Sequence, residues 1–388
     1  MGVSGPGSQK HPKKWRLFKA TDYVSIMWPS FELSKLFGLF PYKVTPGSTI
    51  VSSRPGYIYA TLMTSLNVLM TGFILYEMDI SGQLVYDSVP AKRMRLLSDL
   101  AEISARLPAS SFISMTKIIH AKDILGFLFL VGQVPNVFKS GNVSLMSSKA
   151  LEMYTTLVVY LMDTLYVDCV FILRACFERV NENLLALKES IEKEEPHLLR
   201  RVYHEQKNPL ILLEIRAMKK QHNDISEVVQ RLNNTFSLQI VATVTLTFAE
   251  ITFSLYFYIL QLIGSKEINL EKQIWYSYFI TSVTYYAVKL ASIVWACETA
   301  KGQATRTGIV VHEVLIDTTD KQVKEELQLF SLQLLHRDNT FQAKGLSLDA
   351  TLITSIVGGI TTYLLILIQF LMSTKSCNNN QTTSTTPI

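Results

Sequence analysis

The stretch TLITSIVGGITTYLLILIQF (residues 351–370) runs for twenty residues without a charge. A helix needs about 20 mostly apolar residues to cross the hydrocarbon core of a bilayer, and a helix satisfies its own backbone there. Extended to Met372, the stretch reads as a membrane-spanning helix. Gly358 and Gly359 would let a second helix approach closely. Thr362, Ile366 and Gln369 fall at i, i+4 and i+7 and share one edge, which Ser373 prolongs by a turn. A polar, apolar, polar edge on a greasy helix suits a pore wall. Ile366 would gate by dewetting and Gln369 would hydrate ions near the mouth. On geometry alone, a buried contact between helices fits the same edge slightly better.

Working outward, four further spans are clear. Tyr57 to Tyr76 has no charge, Met153 to Leu173 carries Asp163 and Asp168, Phe236 to Gly264 carries only Glu250, and Ile274 to Cys297 only Lys289. Between residues 96 and 138 lie two weaker ones. Leu96 to Thr116 contains Asp99, Glu102, Arg106 and Pro108, and Ile124 to Phe138 is short and contains Pro135. The count is seven, in an all-α membrane protein. The bulk composition agrees: 48% of residues are hydrophobic and mean hydropathy is +0.22. A net charge of +5 gives no electrostatic footprint for nucleic acid.

Charge orients the spans. The first 56 residues hold eight Lys or Arg against two Asp or Glu, so the N-terminus is expected on the cytoplasmic side. The organisation expected is a cytoplasmic N-terminal segment (1–56), six helices over 57–297 with a long cytoplasmic loop at 174–235, a cytoplasmic anchor region (298–347), a seventh helix (348–372) and an extracellular tail (373–388). Asn142 and Asn380 head sequons that fall outside in this arrangement. Asn233 heads one that falls inside and should stay unmodified.

Within the long loop, Arg174 to Glu195 and Leu212 to Asn234 alternate apolar and charged residues at helical spacing, and Pro196 and Pro209 bracket the break between them. Gln322 to His336 is amphipathic, with Val323, Leu327, Phe330 and Leu334 on one face. Phe31 to Tyr42 is an amphipathic segment that fits either the membrane surface or packing against the loops. Met1 to Pro12 has no apolar core of a signal peptide. Cys169, Cys176, Cys297 and Cys377 form no CxxC, and no disulfide framework is expected.

Enzyme signatures are missing. No GxGxxG, Walker loop, HExxH or GxSxG occurs, and no cofactor or metal is implied. Ionisable residues inside spans are functional candidates because each costs about 2.5–3.5 kcal/mol unless paired or wetted. Here they are Asp99, Glu102, Arg106, Asp163, Asp168, Glu250 and Lys289, with internal pairing as the plain alternative.

The terminal helix also carries a resemblance. Thr362, Tyr363, the apolar run 364–368, Gln369 and Phe370 match the TYhhhhhQF signature of insect gustatory receptors, where h is apolar. The stretches GIVVHE (308–313), LFSLQLLH (329–336), YVDCV (166–170), RACF (174–177) and LSKLFG (33–38) look similar to that family too. The resemblance implies a ligand-gated cation channel in the plasma membrane of sensory neurons. Four subunits, identical or of related receptors, would each contribute their last helix to one pore. Ile366 would stand at the gate and Gln369 at the pore-lining amide, passing monovalent and divalent cations. The main sweet-taste branch usually has Glu where Gln369 stands, so a bitter or other non-sugar tastant is favoured, with sugars still open. The chain departs from the family pattern in its weak second span and in the short Lys117 to Asp123 connection.

A ligand pocket between spans would need stacking faces and a few polar groups. Tyr160, Asp163, Tyr256, Gln261, Trp275, Tyr278, Thr281 and Tyr285 supply them. Interfacial belts of Tyr and Trp account for the same residues without a ligand. A G-protein-coupled receptor would need the opposite orientation and a DRY after its third span, and a transporter would show paired broken helices. Neither pattern is present.

Overall fold

A computed structural model describes residues 22–45, 49–63, 65–66, 97, 99–100, 107, 119, 143–193, 209–264, 270–318 and 320–382. The two weaker spans expected at 96–138 lie almost wholly outside these residues. Six long elements follow in order: α1 (Tyr23–Leu36), α2 (Val143–Lys193), α3 (Pro209–Gly264), α4 (Leu270–Asp317), α5 (Lys321–His336) and α6 (Ala350–Thr382). Two small antiparallel hairpins join them, β1 (Tyr42–Thr45) with β2 (Thr49–Ser52) and β3 (Gln342–Ala343) with β4 (Leu346–Ser347). Residues 54–63 are helical as well.

Among the described residues, four helices are long and apolar enough to cross a membrane: Thr156–Ile191, Leu210–Leu262, Phe279–Asp317 and Ala350–Ser373. The amphipathic rods expected from sequence are the polar ends of α2 and α3. Each continues its apolar part without a break, and no Gly or Pro interrupts residues 174–193 or 212–234.

The chain forms two units. The first comprises residues up to Asn183 together with Ala217–Val228. Its first helix begins with a capping box: the Asp22 carboxylate accepts from the Ser25 amide at 2.8 Å, and the Ser25 hydroxyl lies 3.1 Å from the Asp22 amide, so two end groups that a helix leaves orphaned are satisfied. The inner face of α1 buries Ile26, Met27 and Phe31 completely. From there an aromatic chain runs through the following turn and hairpin. Phe31 stacks on Phe40 at 4.4 Å, Phe40 meets Tyr42 edge-on at 5.0 Å, and Tyr42 meets Tyr57 at 6.0 Å. Phe31, Phe40 and Tyr42 therefore pack on protein, while Trp28, Leu33 and Leu36 stay exposed on the other side of α1.

Residues 161 to 173 of α2 are buried at every position, the pattern of a helix surrounded on all sides. Asp168, fully buried, accepts a hydrogen bond from the Ser30 hydroxyl at 3.0 Å. The Tyr23 hydroxyl donates to the Leu97 carbonyl at 3.4 Å. Burial, and then electrostatic coupling to Cys169 and Asp168 beside it, hold the Tyr23 phenol well above its ordinary pKa. Further along, Phe177 packs against buried His222 of α3 with ring centres 5.3 Å apart. Cys169 and Cys176 are buried free thiols.

The second unit comprises Leu184–Arg216 and Val229–Ile388. Lys188 bridges Asp317 at 3.2 Å and Glu313 at 3.5 Å, and Arg216 pairs with Glu326 at 3.2 Å. In α5, Val323, Leu327 and Phe330 turn inward as the spacing expects, and Leu334 is half-buried. The β3–β4 hairpin turns through Lys344 and Gly345, both with positive φ, a conformation that glycine adopts without a Cβ penalty.

Candidate functional site

The last helix is built from its base upward. Asp349 stands just before α6 and caps it: its carboxylate accepts from the Thr351 amide at 3.1 Å and from the Thr351 hydroxyl. These bonds, with Lys301 as a further favourable charge, hold the Asp349 carboxyl below its ordinary pKa. Phe341, Ala343 and Leu348 are buried around this base, and the Leu348 amide donates to the Phe341 carbonyl at 3.0 Å.

Above the base, one side of α6 packs. Leu352, Ile356 and Ile360 are buried. A Cβ on Gly359 would lie 3.1 Å from the ring of Phe248, whereas one on Gly358 would meet nothing within 4 Å. Of the two glycines singled out in the sequence, Gly359 is thus the one at a close helix approach. Tyr363 of the signature sits edge-on to the same Phe248 ring at 5.7 Å. Thr362, Ile366, Gln369 and Phe370 are exposed. At about 100° per residue, the Thr362–Ile366–Gln369 edge is displaced from the centre of the packed side by about 110°. The Thr362 hydroxyl donates to the Gly358 carbonyl at 2.9 Å, so it is satisfied by its own helix. The most apolar part of α6 has a mean hydropathy of 2.0 yet only 17% of it is buried, against 72% for α2.

The residues proposed for a ligand pocket are placed as follows. Tyr160 is half-buried and Asp163 buried in the first unit. In the second, Tyr256 and Gln261 are half-buried on α3, Tyr285 is buried on α4 and Thr281 is exposed. The side chains of Trp275 and Tyr278 lie outside the described residues. Sequence reading did not single out Phe279, which stacks on Tyr258 at 4.7 Å with rings 8° apart; Tyr276 meets the same tyrosine edge-on at 5.6 Å. Lys289, an intramembrane candidate, is buried with its ammonium 5.3 Å from the Tyr286 ring and 5.9 Å from that of Tyr285, an arrangement in which aromatic faces offset the charge. Asp163 and Asp168 are both buried, while Glu250 is exposed. Asn142 lies outside the described residues. Asn380 lies within α6, which continues as helix to Thr382, ten residues past the predicted end of the span; the segment from Ser373 to Thr382 contains no Gly or Pro to stop it.

A second feature supports the base of α6. The Asn233 side chain on α3 donates to the Thr340 carbonyl at 2.8 Å and accepts from the Gln342 amide at 3.3 Å. In the sequence this residue stood out only as the head of an unused sequon.

Long apolar helices, one of them buried on all sides and another laid open along a polar-flanked edge, define a multi-span membrane protein. Residues 93–374 match the family model described as 7tm Chemosensory receptor. Gustatory receptor 28b of Drosophila melanogaster is 34% identical over 161 residues, 41% of this chain and 34% of that protein. The gustatory receptor for sugar taste 43a of the same organism is 26% identical over 165 residues, 42% of this chain and 37% of that protein. The matches thus span little more than a third of the length of these relatives. The fold is similar to that of the insect olfactory receptor OR5 from Machilis hrabei, with a TM-score of 0.62 at 9% identity over 89% of this chain and 97% of that one. The chain belongs to the 7tm chemosensory receptor family, and the curated relatives it matches in part are gustatory receptors.

Proposed function

We propose that the chain is a gustatory receptor that works as a ligand-gated cation channel, with α6 of four subunits, identical or mixed, lining one pore. The observation that carries this reading is the open edge of α6. A buried span gains stability from its apolar atoms, but α6 keeps its most apolar stretch largely outside the packed unit. An amide left in hydrocarbon without a partner costs several kcal/mol, roughly 2–7 by transfer scales. Gln369 on an open edge is therefore best matched by water, and four such edges around an axis would supply a wetted path interrupted by rings of Ile366. Seven spans, a cytoplasmic N-terminus, an extracellular C-terminus and a plasma-membrane location in sensory neurons complete the proposal. The stimulus is a small-molecule tastant. Gln369 favours a bitter or other non-sugar compound, and the partial similarity to a sugar-taste receptor keeps sugars in the panel.

Whole-cell recording from cells expressing only this chain tests the reading. Ile366→Ala removes the apolar constriction, and basal current is expected to rise about tenfold, the equivalent of a bias of about 1.4 kcal/mol toward the conducting state. Unchanged basal current at normal surface expression would count against Ile366 as the gate.

A further inference from the structure

Residues 337–349 connect α5 to α6 and set where the last helix begins. Two side-chain bonds from one residue hold this connection to α3: Asn233 gives its amide hydrogen to the Thr340 carbonyl and takes the Gln342 amide hydrogen on its carbonyl. An amide side chain offers a donor and an acceptor side by side, whereas an ionised carboxylate only accepts. The grip reaches across 107 and 109 residues of sequence, and it closes on both flanks of Phe341, whose side chain is buried. Farther up the same helix, Phe248 touches Gly359 and Tyr363 of α6. Fifteen residues, about 22 Å of helix rise, separate the two contacts. Beyond Phe248, α3 continues through Tyr256, Tyr258 and Gln261 to Gly264 without a break.

We propose that Asn233 is a positioning residue for gating: it ties α3 to the base of α6, so that a displacement of α3 reaches the Thr362–Ile366–Gln369 edge. This rests on the channel reading of α6. With only the Phe248 contact, α3 could slide or roll against α6 while its base stayed behind. With the Asn233 fork closed, the base must follow. Asp349 fixes the first turn of α6 to the same connection, so the helix start moves with it.

The test compares Asn233→Ala, Asn233→Asp and Asn234→Ala in the full chain. Aspartate keeps the acceptor for the Gln342 amide and loses the donor to Thr340. Asn234 is the exposed neighbour and serves as the control. Hydrogen exchange on purified protein is expected to quicken about tenfold at residues 340–349 in Asn233→Ala, with a smaller increase in Asn233→Asp and none in Asn234→Ala. In cells, each substitution is placed on the Ile366→Ala background, so that basal current is read without any agonist. Asn233→Ala is expected to change that current about threefold per surface receptor, in the same order across the variants. Unchanged exchange at 340–349 overturns the clamp. Faster exchange with unchanged current overturns the coupling. No current from Ile366→Ala at normal surface number sinks the channel reading instead, and exchange still decides whether Asn233 fixes the base of α6.

Discussion

The apolar cores of α2 and α6 are nearly the same in hydropathy, 1.8 and 2.0, yet 72% of one and 17% of the other is buried. Hydropathy measures willingness to leave water and carries no direction. In α2 the apolar side chains face protein all round, and even two carboxylates, Asp163 and Asp168, are enclosed. In α6 one side meets Phe248 and its surroundings, and the rest is open. The first helix holds its unit together. The second is held at its base and along one side, which leaves an edge available to other copies and to water.

Equivalent truncations should therefore give unequal results. Phe177→Ala, at a fully buried position of α2, is expected to cost about 3–5 kcal/mol and to remove most protein from the cell surface. Leu365→Ala, at a position 55% exposed on α6, should stay within about 0.5 kcal/mol. Thermal unfolding in detergent and surface labelling read both, and similar losses at the two sites would erase the distinction. The buried polar anchor comes next. Ser30→Ala takes a donor from the enclosed Asp168 carboxylate and should cost about 1–3 kcal/mol by the same melt; a neutral result would mean that the bond adds nothing to holding α1.

Within α6 the two glycines sharpen the contrast on a finer scale. Gly359→Leu drives a side chain into Phe248 and is expected to cost about 1–3 kcal/mol. Gly358→Leu points into open space and should be nearly neutral for folding of a single subunit. Equal penalties would misplace the packed side. The smallest effect concerns pH at the helix base. The folded-state pKa of Asp349 is depressed, chiefly by its bond to the Thr351 hydroxyl. Its contribution is therefore fully present above the ordinary carboxylate range and is lost as pH falls through the depressed folded value. Protection at residues 349–353, taken relative to the intrinsic exchange rate at each pH, should fall in that acid window in the native chain and change less in Asp349→Ala.

Local pattern carried much of this into the sequence. The uncharged run at 351–370, the helical spacing of 322–336 and the unbroken stretches 174–193 and 212–234 all appear as helix, because each is set by residues three or four apart. The inward turn of Phe31, Phe40 and Tyr42 was left open between membrane surface and protein, since either partner rewards the same apolar face. Asn233 was invisible as a clamp: its partners stand more than a hundred residues away, and no local signal marks a bond of that kind. The continuation of α6 to Thr382 was missed because polarity ends a span without ending a helix. For the pocket, sequence offered aromatic residues by type. The contact between Tyr258 and Phe279 depends on which face of α3 meets α4, and hydropathy does not say.

The most direct measurement is a determined structure of the assembled full chain in a lipid nanodisc. The account predicts four copies of α6 around a central axis, with Thr362, Ile366 and Gln369 facing a water-filled path that narrows at Ile366. An assembly in which that edge meets lipid or a neighbouring helix, with no passage at its centre, would contradict it.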